Sequence, residues 1–137
     1  MATLNDLIRD WDYQADIYAD NWEILVPDAD GAYRGDCDDF AVTALYLIQG
    51  ESLAKFWRAL LTRRAKMYFV KVGGVGHAVL ECQGRYIDNI QRRWVTREEL
   101  LSSEPPYDFK FRCWVPFIAV KMALGKLKRW YEWIRRS

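Results

Sequence analysis

The stretch GDCDDFAVTALYLI, residues 35–48, predicts a buried helix that begins near Cys37. Apolar residues dominate the run 40–48 on nearly every side, which is typical of a helix covered all round. A cysteine in the first turn faces the positive end of the helix dipole, which lowers a thiol pKa and favours the thiolate. The carboxylates of Asp36, Asp38 and Asp39 act in the opposite direction, so something must offset them: an imidazolium, a cation, or side chains that point away.

The chain contains one histidine, His77, which lies well downstream of Cys37 and follows the glycine-rich segment 73–76. A cysteine and a histidine that are distant in sequence but adjacent in space are typical of thiol hydrolases. If Gln83-Gly84 is the two-residue turn of a hairpin, His77 and Asp88 become diagonal neighbours on one face of the sheet. Asp88 can then orient the imidazole and stabilise its charged form. We therefore expect Cys37, His77 and Asp88 to be the catalytic residues.

The remaining pattern runs from helices to strands and back to a helix, which is typical of an α+β fold. The length of 137 residues fits one domain spanning residues 1–137. We expect helices over 4–20, 51–64 and 96–102 and from Pro116 onward, a loop over 21–36, and strands over 67–72, 77–82, 85–90 and 109–115.

Three short motifs resemble those of the bacterial transglutaminase-like cysteine proteinases. GDCDDFA at 35–41 is similar to their nucleophile motif, GHAVL at 76–80 resembles their histidine strand, and YIDN at 86–89 resembles their aspartate motif. The resemblance covers roughly residues 20–100. It implies a papain-like or transglutaminase-like fold, in which the nucleophile helix packs on a small antiparallel sheet. It also implies a cysteine peptidase that acts on a protein or peptide.

Some members of that family are calcium-dependent periplasmic proteases that cut surface adhesins. The resemblance places Asp36 and Asp38 at their calcium-binding positions, and the segment 28–31 could add oxygen ligands. No cysteine pair has the close spacing of a structural zinc site. We expect the chemistry to require no cofactor, with calcium at Asp36 and Asp38 as the alternative.

The reaction that these residues predict is amide hydrolysis through a thioester. An amine in place of water would make it a transamidation, and the motifs do not separate the two. Peptidoglycan peptides are an alternative substrate, as in small lysins, although those enzymes usually have Ser and Gly after the cysteine. A third hypothesis is a non-catalytic binding module with the same fold. For the oxyanion we expect the backbone N–H of Cys37 and a side chain from Asn21, Trp22 or Tyr33.

Charge is unevenly distributed along the chain. Residues 1–40 hold eleven Asp and Glu against two Arg, whereas the rest holds eight acidic and eighteen basic residues. A basic half can bind nucleic acid, but we expect a fold that brings the two halves together and no nucleic-acid partner.

The C-terminal helix combines an apolar face with basic residues, so it could contact a membrane or a cell wall. We favour instead docking of this face on the acidic N-terminal helix of the same chain. The face consists of Phe117, Val120, Leu124, Leu127, Tyr131 and Ile134.

The N-terminal residues 1–10 lack the basic start and apolar middle of a signal peptide. No apolar stretch is long enough to span a membrane, and three cysteines cannot form a complete disulfide set. We therefore expect a cytoplasmic protein, with export by another route as the alternative.

Overall fold

The computed structural model describes residues 2–15 and 22–136. It confirms a mixed fold of helices and an antiparallel sheet. The elements are α1 (Leu4–Arg9), β1 (Trp11–Tyr13), β2 (Tyr33–Gly35), α2 (Cys37–Ile48), α3 (Leu53–Leu61), β3 (Ala65–Val72), β4 (Val75–Cys82), β5 (Arg85–Ile87), α4 (Arg97–Leu101), β6 (Tyr107–Arg112) and α5 (Val115–Arg136).

The sheet has four antiparallel strands in the order β5-β4-β3-β6, and α2 packs against β4. Leu80 of β4 joins Phe40 and Leu45 of α2 in a fully buried core on one face. On the other face, Val79 and Tyr107 belong to a second, smaller cluster. The two clusters follow from strand alternation, because successive side chains of β4 point to opposite faces.

A reciprocal capping box fixes the start of α2. The Asp36 side chain accepts the Asp39 N–H at 3.3 Å, and the Asp39 side chain accepts the Asp36 N–H at 3.2 Å. Asp39 also accepts the Glu23 N–H at 2.8 Å, which ties the preceding loop to the helix. The helix ends at Ile48, just before Gly50, which was predicted to end or break it and whose φ of 72° suits a residue without a Cβ.

The N-terminal region differs from its prediction. The helix predicted over 4–20 is wrong in its described part, because α1 ends at Arg9 and the chain continues as β1. Trp11 pairs with Tyr33 of β2 and packs edge-to-face on Phe40 with ring centroids 5.0 Å apart. Burial of this indole against α2 therefore overrides the helical spacing. The same pairing puts β2 inside the predicted loop, and residues 16–20 of the predicted helix lie outside the described residues.

The C-terminal helix α5 has Pro116 in its first turn, as predicted, but it docks through a different face. Ile118 and Met122 are buried in the main core, and the Lys121 carbonyl accepts the Trp22 N–H at 3.2 Å. The face predicted to dock on the N-terminal helix is instead 42–62% exposed. That prediction is wrong, because α1 packs against α2 while the side of α5 opposite the predicted face meets the core.

Within the described ranges, no helix combines the length and the hydropathy needed to cross a membrane.

Candidate active site

The hairpin of β4 and β5 brings His77 and Asp88 together. Its register pairs Cys82 with Arg85 and Leu80 with Ile87, as the predicted two-residue turn requires. β5 ends at Ile87, so Asp88 lies just beyond the ladder and not within it. His77 Nε2 lies 2.8 Å from Asp88 Oδ2, and both side chains are buried. The predicted contact is therefore present, although the strand is shorter than expected.

Asp88 is held through both of its carboxylate oxygens. Oδ1 accepts the backbone N–H groups of Ile90 at 3.1 Å and Gln91 at 2.7 Å, and Oδ2 accepts the Tyr107 hydroxyl at 2.5 Å in addition to its contact with His77. These donors matter because the Asp88 carboxylate is only 1% exposed, and a buried polar group needs hydrogen-bond partners. The carboxylate is thus fixed in position behind the imidazole.

Tyr107 is a site residue that the sequence analysis missed. Burial, together with its hydrogen bond to the Asp88 carboxylate, raises the pKa of Tyr107, so its hydroxyl stays a donor at neutral pH. No motif precedes it, and it approaches Asp88 from β6, which lies at the opposite edge of the sheet from β5. Strand order of this kind carries no local signal that could have identified Tyr107.

Cys37 is the first residue of α2, and its Sγ lies 3.9 Å from Asp38 Oδ1. Burial raises the pKa of the Cys37 thiol to about 12, and the Asp38 carboxylate contributes to the rise. The backbone N–H of Ala78 approaches the sulfur and acts in the opposite direction. The shift is thus opposite to the one that the helix dipole alone predicts. Since the resting thiol is protonated at neutral pH, attack by Cys37 requires a base.

Cys37 and His77 line one cavity of about 290 Å³. The imidazole lies on the Tyr107 side of the sheet, with ring centroids 5.8 Å apart. Cys37 lies at the start of α2 and approaches the Ala78 backbone of β4. Aromatic side chains form much of the remaining wall, namely Trp22, Phe69, Phe111 and Phe117.

Of the three side chains predicted as oxyanion donors, Trp22 is the one that lines this cavity. It is 4% exposed, and its Nε1 is buried with no hydrogen-bond partner among the described residues. Tyr33 is buried in β2 and is not part of the cavity wall, and Asn21 lies outside the described residues. A buried donor without an acceptor is unusual.

The predicted calcium ligands do not gather around a common point. Asp36 serves in the capping box of α2, while Arg34 binds Asp28 at 2.6 Å and Asp30 at 2.5 Å. Across residues 2–15 and 22–136, no group of three or more His, Cys, Asp or Glu side chains could hold a metal ion. Calcium binding at Asp36 and Asp38 therefore stays a prediction.

The other two cysteines, Cys82 and Cys113, lie at or just after the ends of strands β4 and β6. Cys113 is 6% exposed in the main core and also contributes to the cavity wall. Cys82 ends β4, and burial raises the pKa of its thiol to about 12. Because burial affects Cys82 as it affects Cys37, Cys82 is a suitable internal reference for the reactivity of Cys37.

Comparison with protein-family models, with curated proteins and with solved structures gives no match for this chain. The resemblance to bacterial transglutaminase-like cysteine proteinases therefore rests on three motifs. The class that the fold defines is a small α+β domain, and its candidate site combines a cysteine, a histidine and an aspartate.

Proposed function

We propose that the chain is a cysteine hydrolase that cleaves amide bonds in proteins or peptides, on a papain-like arrangement of α2 and the sheet. The observation that carries the proposal is the buried His77–Asp88 pair, 2.8 Å apart, at the cavity that also contains Cys37. A cysteine at a helix start and a histidine oriented by a carboxylate are the groups that nucleophilic acyl transfer needs.

The ring nitrogens of His77 have separate roles in this proposal. Nε2 is bonded to Asp88, which leaves Nδ1 to take the proton from Cys37 as the sulfur attacks the substrate carbonyl carbon. The imidazolium then protonates the leaving amine, the C–N bond breaks, and a thioester forms. Water, deprotonated by His77, cleaves the C–S bond and releases the acid, and the thiol regains its proton. Asp88 acts as a positioning residue, because it touches the imidazole and not the substrate.

Two donors are proposed for the negative charge that develops on the carbonyl oxygen. The backbone N–H of Cys37 belongs to the first turn of α2, where N–H groups lack helical acceptors, and Trp22 supplies its indole N–H. We expect Trp22→Phe to lower the acylation rate by about a hundredfold, since loss of one oxyanion donor costs about 10²–10³ in rate. Trp11→Phe is the matched control, because the Trp11 indole is also buried without a partner in the described part of the chain but does not line the cavity.

The proposal can be tested without a known substrate by using p-nitrophenyl acetate, an activated acetyl donor. Attack by Cys37 forms an acetyl thioester and releases nitrophenolate, which is read by absorbance, while mass spectrometry locates the acetyl group. We expect acetylation at Cys37 to be lost in Cys37→Ala, to fall at least about a hundredfold in His77→Ala, and to be unchanged in Cys82→Ala. Parallel reactions with calcium and with a chelator test the role of Asp36 and Asp38.

Equal labelling of Cys37 and Cys82, or labelling of Cys37 that does not respond to His77→Ala, would contradict the proposal. The protein would then be better described as a binding module. The raised pKa of the buried Cys37 thiol favours this hypothesis, because a protonated thiol is a poor nucleophile. If acetylation behaves as expected, cleavage of fluorescent casein and of peptidoglycan stem peptides distinguishes the proposed substrate class from the alternative one.

A further inference from the structure

The C-terminal helix α5 carries a partly exposed apolar stripe along one side. We call it the outer stripe; its side chains are 42% exposed at Phe117, 58% at Val120, 47% at Leu124, 59% at Leu127, 62% at Tyr131 and 43% at Ile134. The positions recur at intervals of three and four residues, so they share one face of the helix. Monomeric proteins rarely leave a continuous apolar face of this kind in water.

The outer stripe lies on the side of α5 that faces away from the core, except at Phe117, whose ring packs edge-to-face on Trp22. Ile118, Met122 and Gly125 face the protein, and at about 100° per residue they lie roughly half a turn from the stripe. After Gly125, every side chain of α5 that the structure describes is exposed. The second half of the helix therefore projects beyond the core with its apolar face open.

The remainder of α5 is rich in basic residues. The helix carries Lys121, Lys126, Lys128, Arg129, Arg135 and Arg136 against the single acid Glu132. Near its end, Trp130 and Trp133 are 61% and 68% exposed. An apolar face with aromatic residues and a basic remainder is the composition of helices that lie in the boundary of an anionic membrane.

We propose that α5 binds the surface of an anionic phospholipid bilayer, with the outer stripe inserted among the acyl chains and the basic residues at the phosphate groups. Lipid headgroups supply the negative charge that this helix lacks. A second copy of the chain would bring two strongly basic helices together, so like charges oppose that occupant. The proposal does not depend on the cysteine chemistry.

The lipid-binding surface extends towards the cavity. Phe117 belongs both to the outer stripe and to the cavity wall. Phe111 and Trp114, which are 53% and 70% exposed, continue the apolar surface beside it. Membrane binding through α5 thus places the rim of the cavity close to the bilayer.

Vesicle flotation with the full-length protein tests the proposal. The probes are vesicles of phosphatidylcholine alone and vesicles of an equimolar mixture of phosphatidylcholine and phosphatidylglycerol. We expect binding to the mixed vesicles, little binding to phosphatidylcholine alone, and weaker binding as salt screens the charges. Leu127→Asp should weaken binding to the mixed vesicles by about tenfold or more, since it removes a stripe leucine and adds a negative charge.

Leu101→Asp is the matched control. Leu101 is 49% exposed on α4, so the substitution makes the same change at a similar exposure on a different helix. Circular dichroism verifies that both variants fold. Absence of binding to the mixed vesicles, equal loss in both variants, or equal binding to the two kinds of vesicle would overturn the proposal. So would a dimer, seen by light scattering, that Leu127→Asp dissociates while vesicle binding is absent.

Discussion

Asp88 shows at the scale of one residue how the candidate site is held. Its carboxylate receives two backbone N–H groups and the Tyr107 hydroxyl in addition to its contact with His77. Backbone donors of a tight turn cannot be removed by substituting a side chain, whereas the Tyr107 hydroxyl can. Tyr107 is therefore the residue through which the support of Asp88 can be examined.

We expect Tyr107→Phe to lower the free energy of unfolding by about 1–3 kcal/mol, because it removes a hydrogen bond to a buried charged group. Urea unfolding at neutral pH measures this change. Tyr131→Phe removes the same atom from an exposed side chain and should change stability by less than about 0.5 kcal/mol. Equal stability of the two variants would mean that the Tyr107 hydroxyl does not support Asp88.

Cys37 leads to a prediction about pH. Because burial raises the pKa of its thiol to about 12, the reactive thiolate is scarce at neutral pH. We expect the rate of iodoacetamide alkylation at Cys37 to rise about tenfold per pH unit and still to be rising at about pH 10. Mass spectrometry follows Cys37 against Cys82 in the same sample. A plateau below neutral pH would show that the helix dipole and His77 outweigh burial, and the thiol would then be ionised at rest.

At the scale of elements, the hairpin and α2 could be predicted, whereas the contacts between distant segments could not. Gln83-Gly84 between alternating strands fixes the register locally, and Asp36 marks the start of α2. The pairing of Trp11 with Tyr33 and the approach of Tyr107 to Asp88 depend on segments far apart in the chain. Local sequence patterns do not encode such long-range contacts, so β1, β2 and the role of Tyr107 could not be predicted from the sequence.

Gly125 illustrates how α5 attaches to the rest of the protein. A Cβ at this position would lie 2.7 Å from the Trp22 carbonyl oxygen. Helix propensity alone predicts that Gly125→Ala stabilises the protein by about 1 kcal/mol. We expect the opposite, a loss of about 1–3 kcal/mol, because a backbone atom must move to make room.

Chemical denaturation measures this change, with Ala123→Gly as the reference in the same helix. Ala123 is exposed, and its replacement should cost about 1 kcal/mol through propensity alone. A stabilised Gly125→Ala variant would show that Trp22 does not pack closely on α5.

At the scale of the whole molecule, the question is which interactions join the acidic first part of the chain, residues 1–40, to the basic remainder. Arg34 binds Asp12, Asp28 and Asp30 within the acidic first part, while Lys66 binds Glu81 within the basic remainder. Each of these ion pairs joins two residues of the same part. They are therefore no evidence for the expected attraction between the acidic and the basic part. The parts are joined by apolar packing, because Leu7, Trp11 and Trp22 of the acidic part are buried in the main core among residues of the basic part.

A chain that ends after Gly125 should keep its fold, because the later part of α5 is exposed wherever its side chains are described. We expect its thermal midpoint to stay within a few degrees of the full-length value, corresponding to a change below about 1 kcal/mol. A chain that ends after Trp114 loses the buried Ile118 and Met122 and should unfold at a clearly lower temperature. Similar midpoints for the two shortened chains would contradict this division of α5.

The single histidine of the chain makes the candidate site its own spectroscopic reporter. Since His77 is the one imidazole in the sequence, every histidine ring signal in a nitrogen-15 NMR spectrum of the untagged protein comes from the group bonded to Asp88. The chemical shifts of the two ring nitrogens identify the tautomer without any assignment by mutation. A ligand that enters the cavity can thus be detected through the atom whose chemistry it would use.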